Sequence, residues 1–193
     1  RDLASFPVFA YLITIPSLLG PLEIWGKIFL NITASLLIIL TFLICKQTIK
    51  SRYVAYLTSF FAGFIPIFWQ STVNTISIYA VIIPLFVWCL YLFLKITLKK
   101  EKRVRIYTIS LIAYALLHPS VLLLIAGLLI YLVILKVEGL EVKKSEWELI
   151  LFSTLVATII QVILYKDIFT LTLYAFLFII AAGLIEVYIT PLF

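Results

Sequence analysis

Apolar positions dominate this chain and fall into long runs, separated by short polar or basic stretches. Residues 3–19 form the first run, but Pro7 and Pro16 lie inside it and it is short for a span, which predicts an interfacial or marginal helix. After Gly20-Pro21, residues 24–45 reach the roughly 20 apolar residues that a membrane-spanning helix needs. Residues 54–69 and 78–94 are predicted as two more spans around the polar stretch QSTVNTIS, with Pro84 tolerable because neighbouring helices or water can satisfy the carbonyl it frees. Two last runs, 149–165 and 168–189, flank Lys166-Asp167.

The run between Arg105 and Lys136 differs from the others, because the only histidine of the chain stands next to a proline in its interior. At 1.5 Å per residue, residues 106–117 cover about 18 Å against a hydrocarbon core of about 30 Å. The two halves are too short for two ordinary spans, and 106–135 is therefore expected to be a short helical hairpin with His118-Pro119 at its tip. The fold class is all-α: a polytopic transmembrane helical bundle of six to seven segments in a single domain, residues 1–193.

Composition agrees with this pattern. Hydrophobic residues make up 65% of the chain and charged residues 12%, with a mean hydropathy of +1.23; soluble domains have an apolar content of about 45–50%. The net charge of +6 does not point to nucleic acid, because 12 of the 15 Lys and Arg residues lie in the connections 46–52, 95–105 and 136–144. By the positive-inside rule the loops 46–52, 95–105 and 136–148 are expected on the cytoplasmic side. Asp2, Glu23, Lys27, Gln70, Asn74, Lys166 and Asp167 then share the opposite face. Cys45 and Cys89 stand alone in apolar runs and read as small core residues. The chain has no methionine and opens on Arg1-Asp2, which suggests a start partway through a longer protein; its scarce Met, Cys, Asn and Gln lean towards a thermophile.

The layout resembles the membrane domain of the GT-C superfamily of polyprenyl-phosphate-sugar-dependent glycosyltransferases. Three stretches carry the resemblance: SFPVFAYLITIPSLLGPLEIWGKIFLNITASLLIILTFLI (Ser5 to Ile44), FFAGFIPIFWQSTVNTISIYAVIIPLFVWCLYLFLK (Phe60 to Lys95) and IAYALLHPSVLLLIAGLLIYLVILK (Ile112 to Lys136). They match in hydrophobic pattern and proline placement. The resemblance implies an extracytoplasmic active site in which an acidic residue deprotonates the acceptor while a divalent metal or basic groups hold the carrier phosphate. The family's first helix and acidic loop would precede residue 1, which leaves Asp2 and Glu23 as the catalytic candidates. His118, Trp69 and Lys166 are the substrate-binding candidates, and no metal ligand is assigned.

Each candidate also has a plainer reading. His118 either acts as acid, base or phosphate ligand, or is a helix-tip residue whose imidazole satisfies backbone groups freed at the proline. Asp2 and Glu23 occupy a chain end and a Gly-Pro turn, ordinary places for exposed carboxylates. Trp69 is a sugar-stacking platform or part of an interfacial aromatic belt. Glu186 is a relay group or a solvated residue at the boundary near Thr190-Pro191. The cofactor stays unassigned beyond a divalent metal; the expected partners are membrane lipids, a polyprenyl-phosphate sugar and protein subunits. The competing function is a non-enzymatic membrane subunit or scaffold, or a transporter component.

Overall fold

A computed structural model describes residues 7–49, 51–64, 76–99, 103–140 and 142–164. Among these residues there are seven helices and no strand: α1 (Pro7–Ser17), α2 (Leu22–Thr48), α3 (Arg52–Gly63), α4 (Tyr79–Lys99), α5 (Val104–Leu117), α6 (Val121–Val137) and α7 (Lys144–Leu164). Helices α2, α4 and α7 are long and apolar enough to cross a membrane, and α5 and α6 are shorter apolar helices. The chain is a helical membrane protein on this composition. The expected span 54–69 is helical as far as Gly63 and capped at Phe64, residues 65–69 and the expected span 168–189 lying outside the described residues.

The fold divides into two compact units, Arg1–Ser110 and Leu111–Phe193. In the first, α2 is the central helix and packs against α1, α3 and α4. It buries Gly26, Leu30, Ala34, Leu37 and Leu40, spaced three or four residues apart, so that one stripe faces its neighbours. Its other side is equally greasy, with Ile24, Ile32 and Ile39 each more than half exposed. A soluble helix would carry mainly polar residues there, and an exposed stripe of isoleucines fits lipid. Hydroxyls in these helices bond back to their own backbone, as Thr41 Oγ1 does to Leu37 O at 2.8 Å and Thr97 Oγ1 to Phe93 O at 3.1 Å. That satisfies the hydroxyl without water.

Helices α2 and α3 form an antiparallel pair joined across residues 49–51. Phe42 meets Tyr56 with ring centroids 4.9 Å apart, and a Cβ on Gly63 would lie 2.7 Å from Ile38 Cδ1. The Ile38 side chain therefore packs directly on the backbone at Gly63. Within α4, Pro84 removes the N–H that would meet the carbonyl four residues earlier, and the helix continues through it as expected. Trp88 on α4 donates its indole N–H to Ser110 Oγ at 3.0 Å.

In the second unit α6 packs against α7. Helix α6 stops at Gly139, whose φ of +67° is the left-handed turn that closes many helices. The Leu140 N–H reaches the Leu135 carbonyl at 2.9 Å, the long bond of a Schellman ending.

Helix boundaries differ from the sequence reading in several places: α2 covers Leu22–Thr48 where 24–45 was expected, α4 reaches Lys99 inside the expected loop 95–105, and α7 starts early. The charged stretch up to Glu148 was expected to be loop, yet α7 begins at Lys144. Glu146, three residues after the cap residue Lys143, accepts the Lys143 backbone N–H at 3.2 Å. It completes half of a capping box and places a carboxylate at the positive end of the helix. Glu146 is buried, with Lys143 Nζ at 3.8 Å from its other oxygen. The helix thus starts inside the charged stretch because that charge caps it.

Candidate functional site

The sequence candidates fall in three places. Asp2, Trp69 and Lys166 lie outside the described residues. Glu23 belongs to the first unit and His118 to the second, and each has its own surroundings.

Glu23 sits in the first turn of α2, behind the Gly20-Pro21 break. Gly20 has φ +153°, and a side chain there would strike the Trp25 indole at 2.6 Å from Nε1. Only glycine lets Trp25 lie across the turn. Pro21 begins the helix, its carbonyl accepting from Ile24 and Trp25 N–H at 3.0 and 3.1 Å. Glu23, Lys27 and Asn31 then follow at intervals of four residues and line an open depression of about 330 Å³ with Ile24 and Ile28. The carboxylate is exposed and the lysine half-buried. The helix N-terminus favours a negative charge at this position, and Glu before Lys at this spacing is the favourable order. Chemically the row offers a carboxylate that can take a proton, an ammonium that can neutralise a phosphate and an amide that can bond hydroxyls.

No group of three or more His, Cys, Asp and Glu side chains able to hold a metal occurs among the described residues. Among the described residues Glu23 is the one carboxylate lining the depression, and these residues by themselves do not make a divalent-metal site.

The His118 turn is built from backbone demands. Helix α5 ends as His118 N–H bonds to Tyr114 O at 3.1 Å, and the next residue is Pro119. In a helix the N–H of residue 119 would meet the carbonyl of Ala115, but proline has none. That carbonyl is instead taken by Gln161 of α7, whose Nε2 donates to Ala115 O at 2.6 Å and to His118 O at 3.4 Å. His118 Nδ1 accepts the Ser120 N–H at 3.0 Å, at the start of α6. This assigns the neutral ring its proton on Nε2. Tyr114 and Ser120 complete the turn through their hydroxyls, 3.0 Å apart.

The helix break expected at His118-Pro119 is present, but the division of labour differs from the sequence reading. Gln161 satisfies the carbonyl freed by the proline, and the imidazole caps the next helix. Gln161 is fully buried, and among the described residues its Oε1 has no hydrogen-bond partner. The sequence signal was a single amide in the apolar run LVATIIQVIL, with its partner 46 residues away.

No family model, curated protein or solved structure matches this chain at a significant level.

Proposed function

We propose that the chain is part of a GT-C-like integral membrane glycosyltransferase, or of a relative of that fold without the activity, acting on a lipid-phosphate-linked sugar at the extracytoplasmic face. The observation that carries the reading is the Glu23, Lys27 and Asn31 row at the end of an apolar helix of spanning length. In this reading the chain is multi-pass, with loops 46–52, 95–105 and 136–148 cytoplasmic. Glu23, with Asp2, takes the proton of the acceptor hydroxyl as its oxygen attacks the sugar's anomeric carbon. The bond from that carbon to the carrier phosphate breaks, and Lys27 stabilises the departing phosphate. Membrane lipids and the polyprenyl-phosphate sugar are the partners.

The test is sugar transfer from polyprenyl-phosphate donors by the full-length protein in liposomes. Glu23→Gln is expected to lower kcat by roughly 100-fold or more, the usual worth of a positioned base. Absence of turnover with every such donor, or turnover unchanged by both Glu23→Gln and Asp2→Asn, refutes the enzymatic reading. A second reading, a non-enzymatic subunit or scaffold, draws on the exposed apolar side chains of α7, among them Leu155, Ile159 and Ile163. A stoichiometric complex through α7 without donor turnover would favour it; a transporter component would instead move solute in the same liposomes.

A further inference from the structure

The α2–α3 pair carries a groove in the C-terminal half of α2, its residue Ile38 lying about 22 Å along the helix from Glu23 at 1.5 Å per residue. Ile38 lines it from one side and Tyr53, Tyr56, Leu57, Ser59 and Phe60 from the other, around a volume of about 520 Å³. That lies within the range of about 300–1,000 Å³ typical of small-molecule sites. Its walls are apolar and open: Leu57 and Phe60 are both more than half exposed, and Tyr53 is 89% exposed. The close approach of Ile38 and Gly63 lies at one end.

The other end is basic. In the antiparallel register fixed by Phe42 and Tyr56, Lys46 lies one turn beyond Phe42, its Nζ 5.9 Å from that ring's centroid, and Arg52 begins α3 beside Tyr53. Both cations are exposed. The stretch 46–52 that joins the two helices has three Lys and Arg residues, and no Asp or Glu occurs in α2 beyond Glu23 or in α3. The chain around the groove thus supplies positive charge with no carboxylate of its own to balance it. A purely apolar ligand would leave that charge unused, whereas an amphiphile with an anionic head matches both parts: chain on the aromatic wall, head on the cations.

We propose that this groove binds an anionic glycerophospholipid, one acyl chain lying along Ile38, Leu57 and Phe60 and the phosphate held by Lys46 and Arg52. Tyr53 stands at the rim, where an aromatic with a polar tip suits the boundary between head and chain. The site does not depend on glycosyl transfer.

Native mass spectrometry of the full chain in detergent, with phosphatidylglycerol or phosphatidylcholine of identical acyl chains, tests it. The anionic lipid is expected to bind roughly 30-fold more tightly, the factor two basic residues near a membrane surface supply together. Lys46→Ala with Arg52→Ala should remove that preference, while Arg105→Ala at the start of α5 should leave it. Leu57→Trp, which fills the groove from a position already exposed, should lower phosphatidylglycerol occupancy several-fold with the fold intact. Equal binding of the two lipids, a preference that survives the double substitution, or equally strong competition by glycerol phosphate lacking acyl chains would overturn the proposal. A lipid-free dimer lost on Leu57→Trp would also overturn it, in favour of a second copy of the chain in the groove.

Discussion

Replacing Gln161 by leucine should destabilise the protein only while Pro119 is present. In the native chain an apolar side chain at this position would leave the Ala115 carbonyl buried without a donor, since Pro119 has no N–H to offer. An orphaned buried acceptor costs about 1–3 kcal/mol, and polar contacts between membrane helices average about 0.6 kcal/mol with a maximum near 1.7. The same substitution deletes Oε1, which has no partner among the described residues and whose burial offsets part of the loss. The net cost expected for Gln161→Leu is about 1 kcal/mol. Pro119→Ala restores an N–H four residues after Ala115, and in that background Gln161→Leu should cost close to nothing. The four chains form a double-mutant cycle with a coupling of about 1 kcal/mol, measurable as unfolding equilibria in mixed micelles, with circular dichroism confirming unchanged helicity. Equal costs in the two backgrounds would refute the reasoning, because the amide would then act through something other than the carbonyl that the proline frees.

Two further predictions test local geometry. His118→Ala should cost about 1 kcal/mol by removing the acceptor of the Ser120 N–H, and His118→Asn should recover most of it, because a short side-chain oxygen suits the same turn; if Asn restores stability but not sugar transfer in the liposome assay, the ring has a chemical task beyond capping. Gly63→Ala pushes a methyl against Ile38 Cδ1, the free end of an exposed side chain, so the cost of moving it offsets the helix gain of about 0.5–1 kcal/mol that alanine brings; with Ile38→Val, which removes that carbon, Gly63→Ala should be more stabilising in the same unfolding assay.

The sequence showed the membrane-helix class, the break at His118-Pro119 and the tolerance of Pro84, because each rests on local properties: run length, a missing N–H, a fixed φ. The start of α7 was not visible in the same way. Lys143 is not among the usual capping residues, and only the structure shows Glu146 reaching back to its N–H and burying beneath the lysine. Gln161 was harder still. That Pro119 frees the Ala115 carbonyl follows from the sequence, but which side chain meets it depends on how α7 packs, and a lone amide in an apolar run carries no label for its partner. Glu23 was legible as a carboxylate at a Gly-Pro turn; its alignment with Lys27 and Asn31 required knowing that the helix already begins at Leu22.

The short connection between α2 and α3 has a consequence for how this gene can change length. One residue added between 49 and 51 that joined the helix would turn α3 by about 100°. The small buried residues Ala55 and Ser59 would swing away from α2, and the larger Val54 and Thr58 would take their places against it. Insertions or deletions are therefore tolerable here only when the altered residues stay outside both helices. The number of residues between the two helices is thus constrained by the face that α3 must present to α2.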